Sequence, residues 1–339
     1  MNFEERLAFL IEWGQRLQQP DERLEAWMSR TAFNNEWFTL ENQKAALNNI
    51  VKHFLSASNL KKWLEKYDLS KEEPKGVLGL ILAGNIPLVG FHDILCGFIS
   101  GHQLKIKCSD KDPHVLPYIL EVAKKLNPKV EKYFTVVDKL KGFDKVIATG
   151  SNNSARYFES YFADYPHIIR RNRNAVALLD GKESEEDLEL LAEDVFAYFG
   201  LGCRNVSKLY VPKGYSFNYL LEIFHRQNSI VLNTKYKNNF DYNFAMLSIN
   251  RQAYLNNGCI LLIEDPSLQS RIATLHFEYY DGQEDLKSKL IDKKDEIQCV
   301  VTNLDISLNG VSFFPFGQAQ TPALWDYADG VDTLAFLLA

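Results

Sequence analysis

Cysteine is scarce and scattered. The five, Cys96, Cys108, Cys203, Cys259 and Cys299, form no CxxC pair and leave an odd total, which disfavours both a disulfide framework and a zinc site. Seven histidines make no HExxH or closely spaced ligand set, so no metal is assigned. No apolar run approaches the roughly 20 residues that span a bilayer. The amino terminus, "MNFEERLAFLIEWGQRL", scatters charge where a signal peptide keeps a basic start and an unbroken apolar core. No membrane insertion and a cytoplasmic location are the resulting expectations. Positive charge is also in deficit: a net charge of −6 removes the field that would gather nucleic acid, leaving one short basic run, "HIIRRNRN". The GxGxxG dinucleotide fingerprint, internal repeats and low-complexity linkers are all missing.

What is present suits a compact, well-filled protein. Hydrophobic residues make up 46%, aromatic residues 13% and charged residues 24% of the 339 positions, and that length fits two domains of ordinary size. Residues 1–72 read as a helical segment, with "NFEERLAFLIEWGQRL", "ENQKAALNNIVKHFL" and "NLKKWLEKY" placing apolar residues at helical spacing. From "KEEPKG" onward, short apolar runs alternate with helices. The units are "GVLGLILAG", "PLVGFHDILCGFI", "QLKIK", "PHVLPYILEVAKKL", "KVIATG" and "NSARYFESYF". That rhythm predicts a doubly wound, mostly parallel α/β sheet. A second α/β domain is expected over 201–339, following a cofactor domain over 73–200.

Parallel sheets bind ligands beyond the carboxyl ends of their strands, and four segments carry chemistry that is expected at such ends. In "LAGNIPL", Asn85 follows a strand, and Pro87 suits the first turn of the next helix. The Asn85 amide is either a donor to a developing oxyanion or a turn and N-cap group. In "LKIKCSDKDP", Lys107 and Asp110 are placed to grip the hydroxyls of a ribose, or to form a solvated loop with an N-capping Asp. In "IATGSNNSARYF", Thr149, Gly150 and Ser151 join a strand to a helix whose first amides suit a pyrophosphate. The fourth, "FGLGCRNVSKLYVP", sets Cys203 at a helix-to-strand corner beside Arg204, with Gly200 and Gly202 leaving room for a substrate and a nicotinamide. Its thiol is either an activated nucleophile or an inert small hydrophobe.

The order and spacing of these segments resemble the aldehyde dehydrogenase superfamily. More narrowly, "LAGNIPLVGFHDILCGFISGHQLKIKCSDKDP", "ATGSNNSARYF" and "FPFGQAQTPALWDYADG" resemble the LuxC-type acyl-CoA reductase family, over roughly residues 75–335. The resemblance implies an aldehyde dehydrogenase-like fold of two doubly wound α/β domains with a helical N-terminal segment. By the same likeness Cys203 is the nucleophile and Asn85 part of the oxyanion hole. Lys107 and Asp110 would hold the adenosine ribose, and Thr149, Gly150 and Ser151 would meet the pyrophosphate. Aldehyde-oxidising members carry an acidic residue in a "LELGGK"-like segment that activates water. The corresponding "IIRRNRNAVALLD" has no carboxylate before Asp180, which favours reduction over hydrolysis.

The resemblance therefore implies NADPH-dependent reduction of a fatty acyl-CoA to the aldehyde through a thioester on Cys203, with NADH as the other cofactor. It carries a homodimer and an acyl-donor partner enzyme as further expectations. Arg170, Arg171 and Arg173 read as a solvated basic loop or as phosphate contacts, and Phe316, Trp325 and Tyr327 as core or as the wall of an acyl tunnel. The alternatives are an NAD(P)-dependent aldehyde dehydrogenase forming acid or acyl-CoA, and a cofactor-binding scaffold without catalysis.

Overall fold

The computed structural model describes residues 1–69 and 75–339. The chain forms two compact units: residues 1–172 with 322–339, and residues 173–321. The division expected at 200/201 thus falls earlier, and the carboxyl terminus returns to the first unit. The boundary expected at 72/73 lies outside the described residues.

The first unit begins with α1 (Phe3–Leu17), α2 (Glu22–Asn34), α3 (Leu40–Asn49) and α4 (Ala57–Leu64). Then come β1 (Val77–Ile81), α5 (Phe91–Ile99), β2 (Gln103–Lys107), α6 (Val115–Leu126), β3 (Phe134–Val136), β4 (Lys145–Thr149), α7 (Asn152–Tyr161) and β5 (His167–Arg170). Its five strands are parallel in the order β3-β2-β1-β4-β5. The early helices share one core with the sheet: Phe9 and Trp13 of α1 and Trp63 of α4 pack with Leu78, Leu80, Phe91, Phe98 and Phe134. The opposite sheet face buries Val146 and Ala148 against Leu140, Phe143 and Phe162. A strand clothed on both sides reads as a continuous apolar run, as "VLGLI" does.

The second unit comprises β6 (Asn174–Leu178), α8 (Glu185–Phe196), β7 (Val206–Pro212), α9 (Asn218–His225), α10 (Thr234–Ile249) and β8 (Leu255–Asn256). It continues through β9 (Leu261–Glu264), β10 (Thr274–Tyr280), α11 (Gly282–Lys293), β11 (Ile297–Val301) and β12 (Phe313–Phe314). The strand order is β12-β11-β6-β7-β10-β9-β8, and only the β8–β9 pair is antiparallel. The period of two divides β6 between faces. Ala175 and Ala177 pack under α8 and α9 with Leu191 and Phe224. Val176 and Leu178 pack under α11 with Leu286 and Leu290. β6 hydrogen-bonds β7 and β11, which is why "AVALL" belongs to the second unit and not to the first. The last helix, α12 (Thr333–Leu338), rejoins the first core through Leu334 and Leu337. Among the described residues, no helix is long and apolar enough to cross a membrane.

Candidate active site

In the first unit the strand order reverses between β1 and β4, and an open parallel sheet binds its ligand beyond the carboxyl ends at such a point. Asn85 follows β1, Lys107 ends β2, and Thr149 ends β4 with Gly150 and Ser151 next. Five of the residues singled out in the sequence therefore line one rim.

The loops on that rim are tied together. Leu82 donates to the Lys107 carbonyl at 3.1 Å. A Cβ on Gly84 would lie 2.2 Å from Ser109 Oγ and 2.6 Å from its Cβ, so glycine is what lets the Asn85 loop and the loop after β2 touch. Leu88, with φ 56, donates its amide to Asp112 Oδ2 at 3.3 Å. Asp112 is buried, and burial pushes its carboxyl up to about 6. The sequence had singled out Asp110, which is exposed. Nor is Asp110 an N-cap, because α6 begins at Val115 with His114 at the cap. Pro87 likewise lies in a turn ahead of α5, which starts at Phe91, rather than in the helix's first turn.

At the end of β4, Ser151 caps α7, its Oγ accepting from the Ser154 amide at 3.2 Å. Gly150 is required by packing: a Cβ there would lie 2.8 Å from Ser154 Cβ and 3.0 Å from the Phe158 ring. The start of α7 is thus drawn close to the strand end, where its dipole favours an anionic group. Lys107 adds a cation and Asp110 a carboxylate on the neighbouring loop, a donor set that fits a dinucleotide's phosphates and ribose hydroxyls.

Cys203 occupies a different kind of place. It lies past the end of α8 and before β7, the helix-to-strand corner that the sequence predicts, and so at the amino end of a strand, unlike the other three segments. Between α8 and the cysteine the backbone turns left-handed three times in succession, at Tyr198 (φ 50), Phe199 (φ 59) and Gly200 (φ 75). The nearest neighbour of a Cβ on Gly200 would be the Val195 carbonyl at an ordinary 3.6 Å. Backbone conformation, rather than space for a ligand, is therefore what asks for glycine there. Gly202 to Asn205 then form a turn with Cys203 and Arg204 at its centre, closed by Asn205 N–H donating to the Gly202 carbonyl at 3.0 Å. Cys203 is half-buried, whereas Cys96, Cys259 and Cys299 are buried. Burial pushes the Cys108 thiol up to about 11 and that of Cys96 well above its ordinary value, which makes both poor nucleophiles.

One other reading changes, and one open choice is decided. Arg170 is not part of a solvated loop: it is buried, its guanidinium donating to Asp93 Oδ2 at 2.6 Å and to Thr333 Oγ1 at 2.8 Å. Arg171 is the exposed member, paired with Glu159. Phe316 packs in the second unit's core, whereas Trp325 and Tyr327 pack against the first, with Tyr327 Oη accepting from Trp63 Nε1 at 2.7 Å. Core packing accounts for all three aromatics.

Solved structures place this architecture in a class. The chain is similar to a putative aldehyde dehydrogenase from Burkholderia cenocepacia, with TM-score 0.69 and 13% identity over 89% of this chain and 74% of that one. It is similar to an oxidoreductase from Marinobacter aquaeolei, with TM-score 0.72 and 11% identity over 95% and 79%. An NAD+ complex of an aldehyde dehydrogenase from Bacillus cereus gives TM-score 0.65 and 14% identity over 93% and 77%. The fold is aldehyde dehydrogenase-like.

Within that class, residues 4–225 match the family model of the acyl-CoA reductases (LuxC), and the chain belongs to that family. A stretch of 72 residues is also 40% identical to the long-chain acyl-protein thioester reductase of Aliivibrio fischeri, a match covering 21% of this chain and 15% of that relative.

Proposed function

We propose that this protein reduces a fatty acyl thioester, acyl-CoA first among them, to the aldehyde, with Cys203 as the acyl carrier and NADPH as the reductant. The reading rests most on Cys203 itself, a half-buried thiol held at the centre of a pinned turn at the amino end of β7. In this scheme the Cys203 thiolate attacks the acyl carbon, the bond to the CoA sulfur breaks, and CoA leaves as the thiol after taking up a proton. Asn85 is assigned the amide donor to the oxyanion, a contribution whose loss typically costs roughly 100- to 1000-fold in rate. Lys107 and Asp110 would hold the cofactor's ribose, and Thr149, Gly150 and Ser151, with the first amides of α7, its pyrophosphate. The bound nicotinamide supplies hydride. Once the acyl carbon is reduced, the Sγ–carbon bond breaks, the aldehyde leaves and the thiolate is restored.

The direction of the reaction is supported by what lies beside β6. The first carboxylate of the stretch 167–180 is Asp180, beyond the carboxyl end of β6, whereas Cys203 lies just before Val206, which pairs with Ala175 at the strand's beginning. Five residues of strand separate those levels, roughly 16 Å. That stretch thus brings no base to the thioester. The Aliivibrio fischeri relative is named for an acyl-protein thioester, which adds an acyl group carried on a partner protein as a second donor class.

Incubation with medium- and long-chain acyl-CoA, followed by intact mass and then NADPH, tests the reading. Wild type should gain one acyl mass and lose it, with aldehyde released, when NADPH is added. A Cys203→Ala variant that gains the same adduct removes the assignment of the nucleophile. Acid formed from an aldehyde and NAD(P)+ without CoA would point to an oxidising dehydrogenase instead.

A further inference from the structure

We propose that Asn205 is the positioning residue of the reactive cysteine, holding the Cys203 turn in register with the end of α8. The inference rests on the assignment of Cys203 as acyl carrier.

Asn205 is 2% exposed, and its whole side chain is committed. Its Nδ2 donates to the carbonyls of Asp194 at 3.0 Å, Val195 at 3.3 Å and Ala197 at 2.8 Å. Its Oδ1 accepts from the Gly202 amide at 2.8 Å. Carbonyls on one side and an N–H on the other leave a single orientation of the amide that satisfies all four contacts. The Asn205 amide also donates to the Gly202 carbonyl at 3.0 Å. Gly202 and Asn205 are therefore bound twice, through backbone and side chain, with Cys203 and Arg204 held between them.

This pin also spans the left-handed run at Tyr198, Phe199 and Gly200. Non-glycine residues keep such a conformation only where surrounding contacts over-determine it. Asn205 provides such contacts on both flanks, to the α8 carbonyls before the run and to Gly202 after it. A helix normally leaves its last carbonyls to solvent or to a glycine cap. Here they are answered by the side chain two residues after the thiol, so the cysteine's position is referenced to a helix rather than to a free loop. Glutamine is too long for this geometry, and aspartate has no N–H to offer the three carbonyls, which share the two hydrogens of Asn205 Nδ2.

Asn205→Ala and Asn205→Ser are compared with wild type and with Asn243→Ala, which deletes another buried asparagine of the same unit, one that donates to the Ile272 carbonyl. In both Asn205 variants kcat for thioester reduction should fall about 10- to 100-fold with KM unchanged, as expected when a reacting group is displaced by about 1 Å. The rate of Cys203 carboxymethylation against pH, read by peptide mass, should shift as well, while Asn243→Ala changes neither. Asn205 variants that lose as much stability as Asn243→Ala yet keep the wild-type kcat and alkylation profile would overturn the proposal. Hydrogen exchange of the Gly202 amide in wild type gives a second reading that needs no variant: protection supports the pin, and exchange at an open-loop rate removes it. Failure of the nucleophile assignment has its own signature, a Cys203→Ala enzyme that still reduces the thioester.

Discussion

The Arg170 guanidinium and the Asp93 carboxylate meet at 2.6 Å with side chains only 8% and 4% exposed. Breaking a buried pair leaves one charge uncompensated and costs about 3–5 kcal/mol, whereas replacing both partners by apolar groups is often close to neutral. Arg170→Met alone should therefore unfold at markedly lower denaturant, and Arg170→Met with Asp93→Leu should recover much of the loss. Equal midpoints for the single and double variants would show that the pair is not what holds β5 to α5.

Gly150→Ala addresses the proposed nucleotide site. The new methyl would press on Ser154 and Phe158, and overpacking of this kind costs about 1–3 kcal/mol while moving α7 away from the strand end. Binding of NADPH, followed by fluorescence titration, should weaken by tenfold or more. Unchanged affinity in a folded variant would remove α7 from the cofactor site.

Lys107→Ala separates charge from packing, since Lys107 closes β2 without belonging to a core cluster. Its dissociation constant for NADPH should rise about tenfold, equivalent to about 1.4 kcal/mol, with the unfolding midpoint held. A cofactor affinity indifferent to both Lys107→Ala and Asp110→Ala would mean that the ribose lies elsewhere.

Asp194 gives a pH signature. It is fully buried, and desolvation outweighs the Gly317 and Ala319 amides it accepts, pushing its carboxyl up to about 7. The folded state thus keeps a proton that the unfolded chain releases near pH 4, so this group's contribution to stability is full below pH 4 and declines until about pH 7. Relative to wild type, Asp194→Asn should gain about 3–4 kcal/mol between pH 4 and 7.5. Chemical denaturation at several pH values measures the difference, and a flat profile would refute the raised pKa.

Much of this protein was legible in one dimension because its signals are local. "QLKIK" became β2 and "KVIATG" became β4, since short apolar runs bounded by turns have few other uses in a strand-helix alternation. The helix α10 was not legible. Its buried side is Tyr236, Phe240, Asn243 and Leu247, with a polar residue in the stripe, while Tyr242, Phe244 and Ile249 lie exposed off it. Asp110 and Asp112 stand alike in a pattern of charges, and only tertiary packing makes the first exposed and the second buried.

The sequence by itself determined the strand-helix alternation, the parallel sheets and the chemical groups available at each strand end, because each depends on residues within a few positions of one another. Tertiary structure alone decided that β6 joins the second sheet, that Arg170 is sealed against Asp93, and that the Cys203 turn is pinned to α8 through Asn205. The reason is physical: a strand's neighbours, a buried charge's partner and an amide's acceptors are chosen by what packs beside them, and those partners come from other elements of the chain.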